Sequence, residues 1–195
     1  MNKTFLLVSF LLAQISANAE ILYVSKEGSD SSGDGSWTSP FESIQKALEE
    51  TKFGDDVYVG DGVYNEKINM AKGVRLYSIN GPEKTVIDGT GANTGTGADE
   101  FHLGGEDGKP QVLIEMEDFS MISGFHIKNA YSYGIRVRNK YGVKIVKNII
   151  NPNCHTGIWL SDSFTEIYFN TIVNCSLGIA PPGQSLTTPG YAIVK

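Results

Sequence analysis

Three stretches in the second half of the chain superimpose: GFHIKNAYSYGIRV (124–137), VKNIINPNCHTGIWL (146–160) and YFNTIVNCSLGIAP (168–181). Gly-Ile recurs at 134, 157 and 178, Ile at 127, 150 and 172, and Asn at 129, 151 and 174 and again at 148 and 170. The repeat is 21 to 23 residues long, with strand-like alternation and no helical pattern. Such a unit cannot bury its apolar face alone, so it has to stack on copies of itself, coil upon coil.

Alternation then decides which side chains face the core, because successive strand residues point to opposite sides. Ile135 and Val137 point inward with Ile158 and Leu160 stacked on them, leaving Arg136, Arg138, Trp159 and Ser161 outside. One coil earlier, Ile114 and Met116 fall inside, with Glu115 beneath Arg136 and Glu117 beneath Arg138. The recurrent asparagines would share a turn, where stacked amides bond to one another.

The first coil of a solenoid exposes unpaired backbone and an open core, which something must cover. Ser39, Pro40 and Glu42 read as a capping box with proline at the first helical position, and Phe41, Ile44, Ala47, Leu48 and Thr51 share one face. The spacing predicts a capping helix over about 39–52, ended by Gly54. The stop at TTPGYAIVK, without a covering device, suggests a fragment or a further domain or partner at that end.

Residues 1–19 carry Lys3, an apolar stretch from Phe5 to Leu12 and an Ala17-Asn18-Ala19 cleavage site, the pattern of a signal peptide. Residues 20–195 then form one β-helix domain, exported to the periplasm or beyond, and no segment is apolar for long enough to span a membrane. The formal charge is −6, yet Phe119 to Ser161 holds Lys128, Arg136, Arg138, Lys140, Lys144 and Lys147 and no acid at all. A basic middle in an acidic chain points to an acidic polymer or to a solvated face. The expected partner is an acidic polysaccharide, with no nucleic acid.

YVSKEGSD, SPFESIQKAL, GDDVYVGDGVYNE and GPEKTVIDG together resemble the amino-terminal signature of secreted right-handed parallel β-helix proteins, the pectate lyase-like superfamily, with polysaccharide lyase family 9 among them. The later Gly-Ile and Asn-x-Ile units resemble the coil repeats of the same superfamily. The resemblance implies an all-β, right-handed parallel β-helix with an N-terminal capping helix. For the lyases it also implies calcium on an aspartate cluster and a lysine base that takes the proton beside a uronate carboxylate. Fold alone does not carry that activity.

Candidate residues can be named for each chemistry. Asp30-Ser31-Ser32-Gly33-Asp34-Gly35 spaces oxygen donors as a calcium loop does, but Phe41 stands where the bidentate Glu belongs, so the strip reads first as a turn. Asp162 is the remaining weak metal candidate. Arg136 and Arg138 could grip a sugar carboxylate while Trp159 stacks on the pyranose ring; equally, they could pair with Glu115 and Glu117, with Trp159 covering Arg136. For β-elimination Lys128 is the candidate base, beside His126, with Arg136 as its catalytic companion, because arginine holds its proton too firmly to serve as the base. His102, His126 and His155 lack metal-ligand spacing. Cys154 and Cys175 occupy the same place in adjacent coils, as a disulfide or as stacked thiols.

The sequence therefore supports a secreted β-helix protein that binds, and by β-elimination could cleave, an acidic polysaccharide of pectate or alginate type, with calcium as the implied cofactor. The alternative is a non-catalytic extracellular or cell-surface scaffold or adhesion module.

Overall fold

The architecture is that of a computed structural model, which describes residues 19–92, 112–152, 155–180 and, as backbone, 191–194. The chain is a right-handed parallel β-helix of about five turns, with one short helix among the described residues. It opens with β1 (Ile21–Val24) and α1 (Ile44–Glu50). The first two coils are β2 (Asp56–Val59), β3 (Gly62–Tyr64) and β4 (Ile68–Asn69), then β5 (Arg75–Ser78), β6 (Thr85–Asp88) and β7 (Val112–Glu115). The third is β8 (Met121–Ser123), β9 (His126–Lys128) and β10 (Tyr133–Arg138), and the fourth β11 (Tyr141–Val146), β12 (Ile149–Asn151) and β13 (Thr156–Ser161). The fifth is β14 (Phe164–Tyr168), β15 (Thr171–Ile172) and β16 (Leu177–Ala180), and β17 (Tyr191–Val194) follows.

Each coil gives one strand to each of three parallel sheets. Face A runs β1-β2-β5-β8-β11-β14-β17, face B β3-β6-β9-β12-β15, and face C β4-β7-β10-β13-β16. The register places like residues on like. Leu22, Val57, Leu76, Ile122, Ile145 and Ile167 form the inward column of face A. Ile68, Ile114, Ile135, Ile158 and Ile179 form that of face C. Branched side chains repeated every coil suit a pleated, fully buried surface, and these columns are the core.

The Gly-Ile repeat has a steric cause. A Cβ at Gly134 would lie 2.7 Å from the Gly157 carbonyl oxygen, and one at Gly157 would lie 2.7 Å from that of Gly178. Backbones at this corner approach too closely for a side chain at Gly134 and Gly157, the residues before Ile135 and Ile158; Gly178, before Ile179, has no such close contact.

The asparagines divide into two sets. Asn148 accepts from the Phe125 N–H at 2.9 Å, Asn170 accepts from the Asn148 N–H at 2.9 Å, and the Asn148 amide also donates to Asn170 at 3.0 Å. This ladder satisfies buried backbone at the corner between faces A and B. In the second set Asn174 donates to Asn151 at 3.0 Å, while Asn129 donates to Asp88 at 2.8 Å. Asn129 and Asn174 have φ of 60° and 54°, a region that asparagine tolerates better than most residues.

The helix is shorter than the predicted 39–52. Its N-cap is Ser43, not Ser39, and its C-cap is Thr51 rather than Gly54. Ser39 instead bridges to Ser36 in the preceding turn, and Phe41 bridges to Val24 as an extension of the sheet edge. Of the expected face, Ile44, Ala47 and Leu48 are buried on the helix and Phe41 is buried ahead of it, while Thr51 is a half-buried C-cap. The leader read at 1–19, apart from Ala19, lies outside the described residues.

Candidate functional site

Face C carries the outward residues singled out from the sequence. Arg136 stacks on Glu115 and beneath Trp159 in register, and its Nε donates to the Glu115 carboxylate at 2.7 Å. Glu117 does not lie beneath Arg138. Strand β7 ends at Glu115, and the turn that follows, closed by the Ser120 N–H on the Glu117 carbonyl at 3.2 Å, swings Glu117 toward Lys140. Both Glu117 oxygens accept from Lys140 Nζ at 2.7 Å.

The consequence is an asymmetry in the basic segment. Lys128, Arg136, Lys140 and Lys144 each sit beside a carboxylate, respectively Asp88 (3.1 Å), Glu115, Glu117 and Glu166 (3.3 Å). Arg138 is exposed at the end of β10 with no ion pair among the described residues. The Trp159 ring lies against Tyr133, centroids 5.5 Å apart and tilted by 37°, and this aromatic contact replaces the expected cover over Arg136. Face C thus presents an aromatic pair, a neutralised Arg136 and an uncommitted guanidinium.

Lys128 lies elsewhere. It is on face B, its ammonium held by Asp88, while Asp88 also accepts from the Thr90 N–H and the Asn129 amide. The structure therefore separates Lys128 from Arg136 onto different faces and does not assemble the pair as base and companion. His126, two residues from Lys128, has its Nε2 buried without a hydrogen-bond partner. Burial, with the Lys128 charge adding to it, pushes the imidazole pKa down and keeps the ring neutral near pH 7. His155 Nδ1 is 2.9 Å from the Thr156 hydroxyl, and His102 lies outside the described residues.

The metal candidates are occupied with protein. Asp30 Oδ1 accepts from the Glu42 and Ser43 N–H groups at 2.8 and 2.9 Å, capping α1 from the Gly/Ser/Asp strip. Asp34 accepts from the Ser36 N–H at 2.9 Å, and Asp162 from the Ser161 hydroxyl at 3.1 Å. Among the described residues no three His, Cys, Asp or Glu side chains gather as a metal would need. Among the described residues this donor set does not fit calcium. The strip is a turn whose acid closes the helix, a role that only the fold reveals.

Cys175 is a free thiol donating to the Val173 carbonyl at 3.4 Å, and its expected partner, Cys154, lies outside the described residues. No helix among the described residues is long and apolar enough to cross a membrane.

Residues 26–188 match the family described as "Protein of unknown function (DUF1565)". The chain belongs to that family. No curated protein matches. Among solved structures, this chain is similar in fold to a GH136 lacto-N-biosidase from Eubacterium ramulus, at 14% identity and a TM-score of 0.53 over 78% of this chain and 34% of that one. A pectin methylesterase from carrot matches at 14% identity and a TM-score of 0.48, over 82% of this chain and 49% of that one. A rhamnogalacturonan lyase matches at 11% and 0.47, over 89% and 65%. The chain thus spans less than two thirds of each, and at these identities the likeness is one of fold.

Proposed function

We propose that this protein binds an acidic polysaccharide across face C, with Trp159 and Tyr133 offering the stacking surface and Arg138 the charge for a sugar carboxylate. The observation that carries the reading is that, of the cations from Lys128 to Lys147, Arg138 and Lys147 have no carboxylate partner in the described residues, and of these two Arg138 is the one on face C. A guanidinium in solvent beside an aromatic pair matches the two surfaces of a uronic acid, a planar anion and an apolar ring face. Solved β-helix proteins named as a pectin methylesterase and a rhamnogalacturonan lyase fit this class of partner. The signal-like leader favours export to the periplasm or beyond.

The reading is one of binding. Elimination would require a base beside Arg138, and Lys128 stands on another face. Affinity electrophoresis in polygalacturonate and in alginate tests it: the wild type is retarded, and Arg138→Ala and Trp159→Ala each restore most of the mobility. Unretarded wild-type protein would remove the reading and leave a scaffold or adhesion module. Release of unsaturated uronates, followed by ultraviolet absorbance, is not expected; its appearance would make the protein a lyase.

A further inference from the structure

Face A carries an outward column of a different kind. Its register aligns Tyr23, Tyr58, Tyr77, Ser123, Val146 and Tyr168. The first three rings form a stack, with centroids 6.0 Å apart between Tyr23 and Tyr58 and 5.2 Å between Tyr58 and Tyr77, at interplanar angles of 30° and 19°. Trp37 closes the near end, edge-on to Tyr23 at 5.1 Å. At the far end the stack stops because position 123 is serine. Among the described residues no ring lies on the face of Tyr77 turned toward that coil, and the gap extends to Val146, two strand spacings or about 9.6 Å further on.

The neighbouring outward column reads Asp56, Arg75, Met121, Lys144 and Glu166. Arg75 Nε donates to Asp56, and Lys144 lies 3.3 Å from Glu166. Both acids stand on the outer sides of their cations. The two cations therefore bracket the level of the gap, with Met121 between them, and no carboxylate of this column stands at that level.

We propose that this slot is a second sugar site, which takes one uronic acid residue: the pyranose stacks on the open face of Tyr77 above Ser123, and its carboxylate lies between Arg75 and Lys144. A ring in the slot continues the spacing at which Tyr58 already packs on Tyr77. Its anion sits over Met121, about 4.8 Å from each cation's level, and shares Arg75 with Asp56 and Lys144 with Glu166. The site is on a different sheet from Arg138 and does not depend on the face C reading.

The test is a titration with digalacturonate, read by the ring resonances of Tyr77 in NMR, against the neutral disaccharide galactobiose. The wild type shows saturable shifts with digalacturonate, weakened by salt as charge pairing requires, and none with galactobiose at equal concentration. Ser123→Tyr fills the slot and extends the stack, so it should keep or raise the melting temperature while weakening binding at least about tenfold, the scale of one lost aromatic contact. Arg75→Gln with Lys144→Gln should weaken it similarly. Arg138→Ala should leave the Tyr77 shifts unchanged, which separates this site from face C. Unchanged binding in a folded Ser123→Tyr protein, equal binding of galactobiose, or no Tyr77 shift in the wild type would each overturn the proposal.

Discussion

Asp30 and Glu66 close the first turn of α1 from opposite ends of the sequence around it. Asp30 takes the N–H groups of Glu42 and Ser43, Glu66 takes those of Ile44 and Gln45 at 2.9 Å each, and Ser43 takes that of Lys46. Every donor orphaned at a helix start is thereby satisfied, several from a distance. The two acids nonetheless titrate in opposite directions. At Asp30 burial opposes ionisation, but the bonds from Ser43 and Glu42 outweigh it and hold the carboxyl below its usual range. At Glu66 burial is the larger effect, and despite the bonds from Gln45 and Ile44 the carboxyl is pushed up. Asp30 therefore contributes stability above the unfolded carboxylate pKa and loses it as pH falls through its lower folded value; Glu66 costs stability as pH rises through its raised one. Asp30→Ala should cost about 1 kcal/mol at pH 7 through the loss of a cap, lowering the melting temperature and reducing its fall on acidification. An unaltered acid limb in thermal melts would argue against the capping role. None of this was legible locally: Ser39, Pro40 and Glu42 satisfy the helix-start rules as written, and what moves the start to Ile44 is Phe41 extending the sheet edge while Asp30 reaches across the turn.

At the level of elements, the period-two and coil-length patterns carried nearly everything. Ile135, Val137, Ile158 and Leu160 face inward, and Arg136 lies over Glu115, because alternation and repeat length together leave one register. The expectation fails where a strand ends: Glu117 is two residues past Glu115 in sequence but already belongs to a turn, so it meets Lys140 and not Arg138. The aromatic column of face A was missed for a related reason. Tyr23, Tyr58 and Tyr77 lie in the early coils, whose spacing differs from that of the clear repeat, and only the register brings them together. The glycine corner offers the sharpest test at this scale. Gly157→Ala would set a methyl group 2.7 Å from the Gly178 carbonyl oxygen and 2.6 Å from the Ile172 side chain, so the coils must part locally. The expected cost is about 1–3 kcal/mol, as for other overpacked sites, measured by denaturant unfolding; a change below about 0.5 kcal/mol, typical of neutral surface positions, would mean that the corner is looser than its geometry.

For the whole molecule, stability should be distributed along the axis, since each coil touches chiefly its neighbours. The helix covers one end, with Ile44, Ala47 and Leu48 seated on the first coils. Leu48→Ala should remove about 2–5 kcal/mol of local packing and, in hydrogen exchange, deprotect β1 and β2 well before β13. Uniform deprotection would show instead that the coils unfold as one unit. The Asn148 and Asn170 ladder gives this axis a direction: each side-chain oxygen reaches back to the N–H of the preceding turn, never forward. A polar thread of that kind has an arrow. Segments can be inserted or deleted only as complete turns laid down with the same polarity, since a partial one would break the thread inside the wall and leave a buried donor bare. Growth and shrinkage of such a protein are therefore quantised.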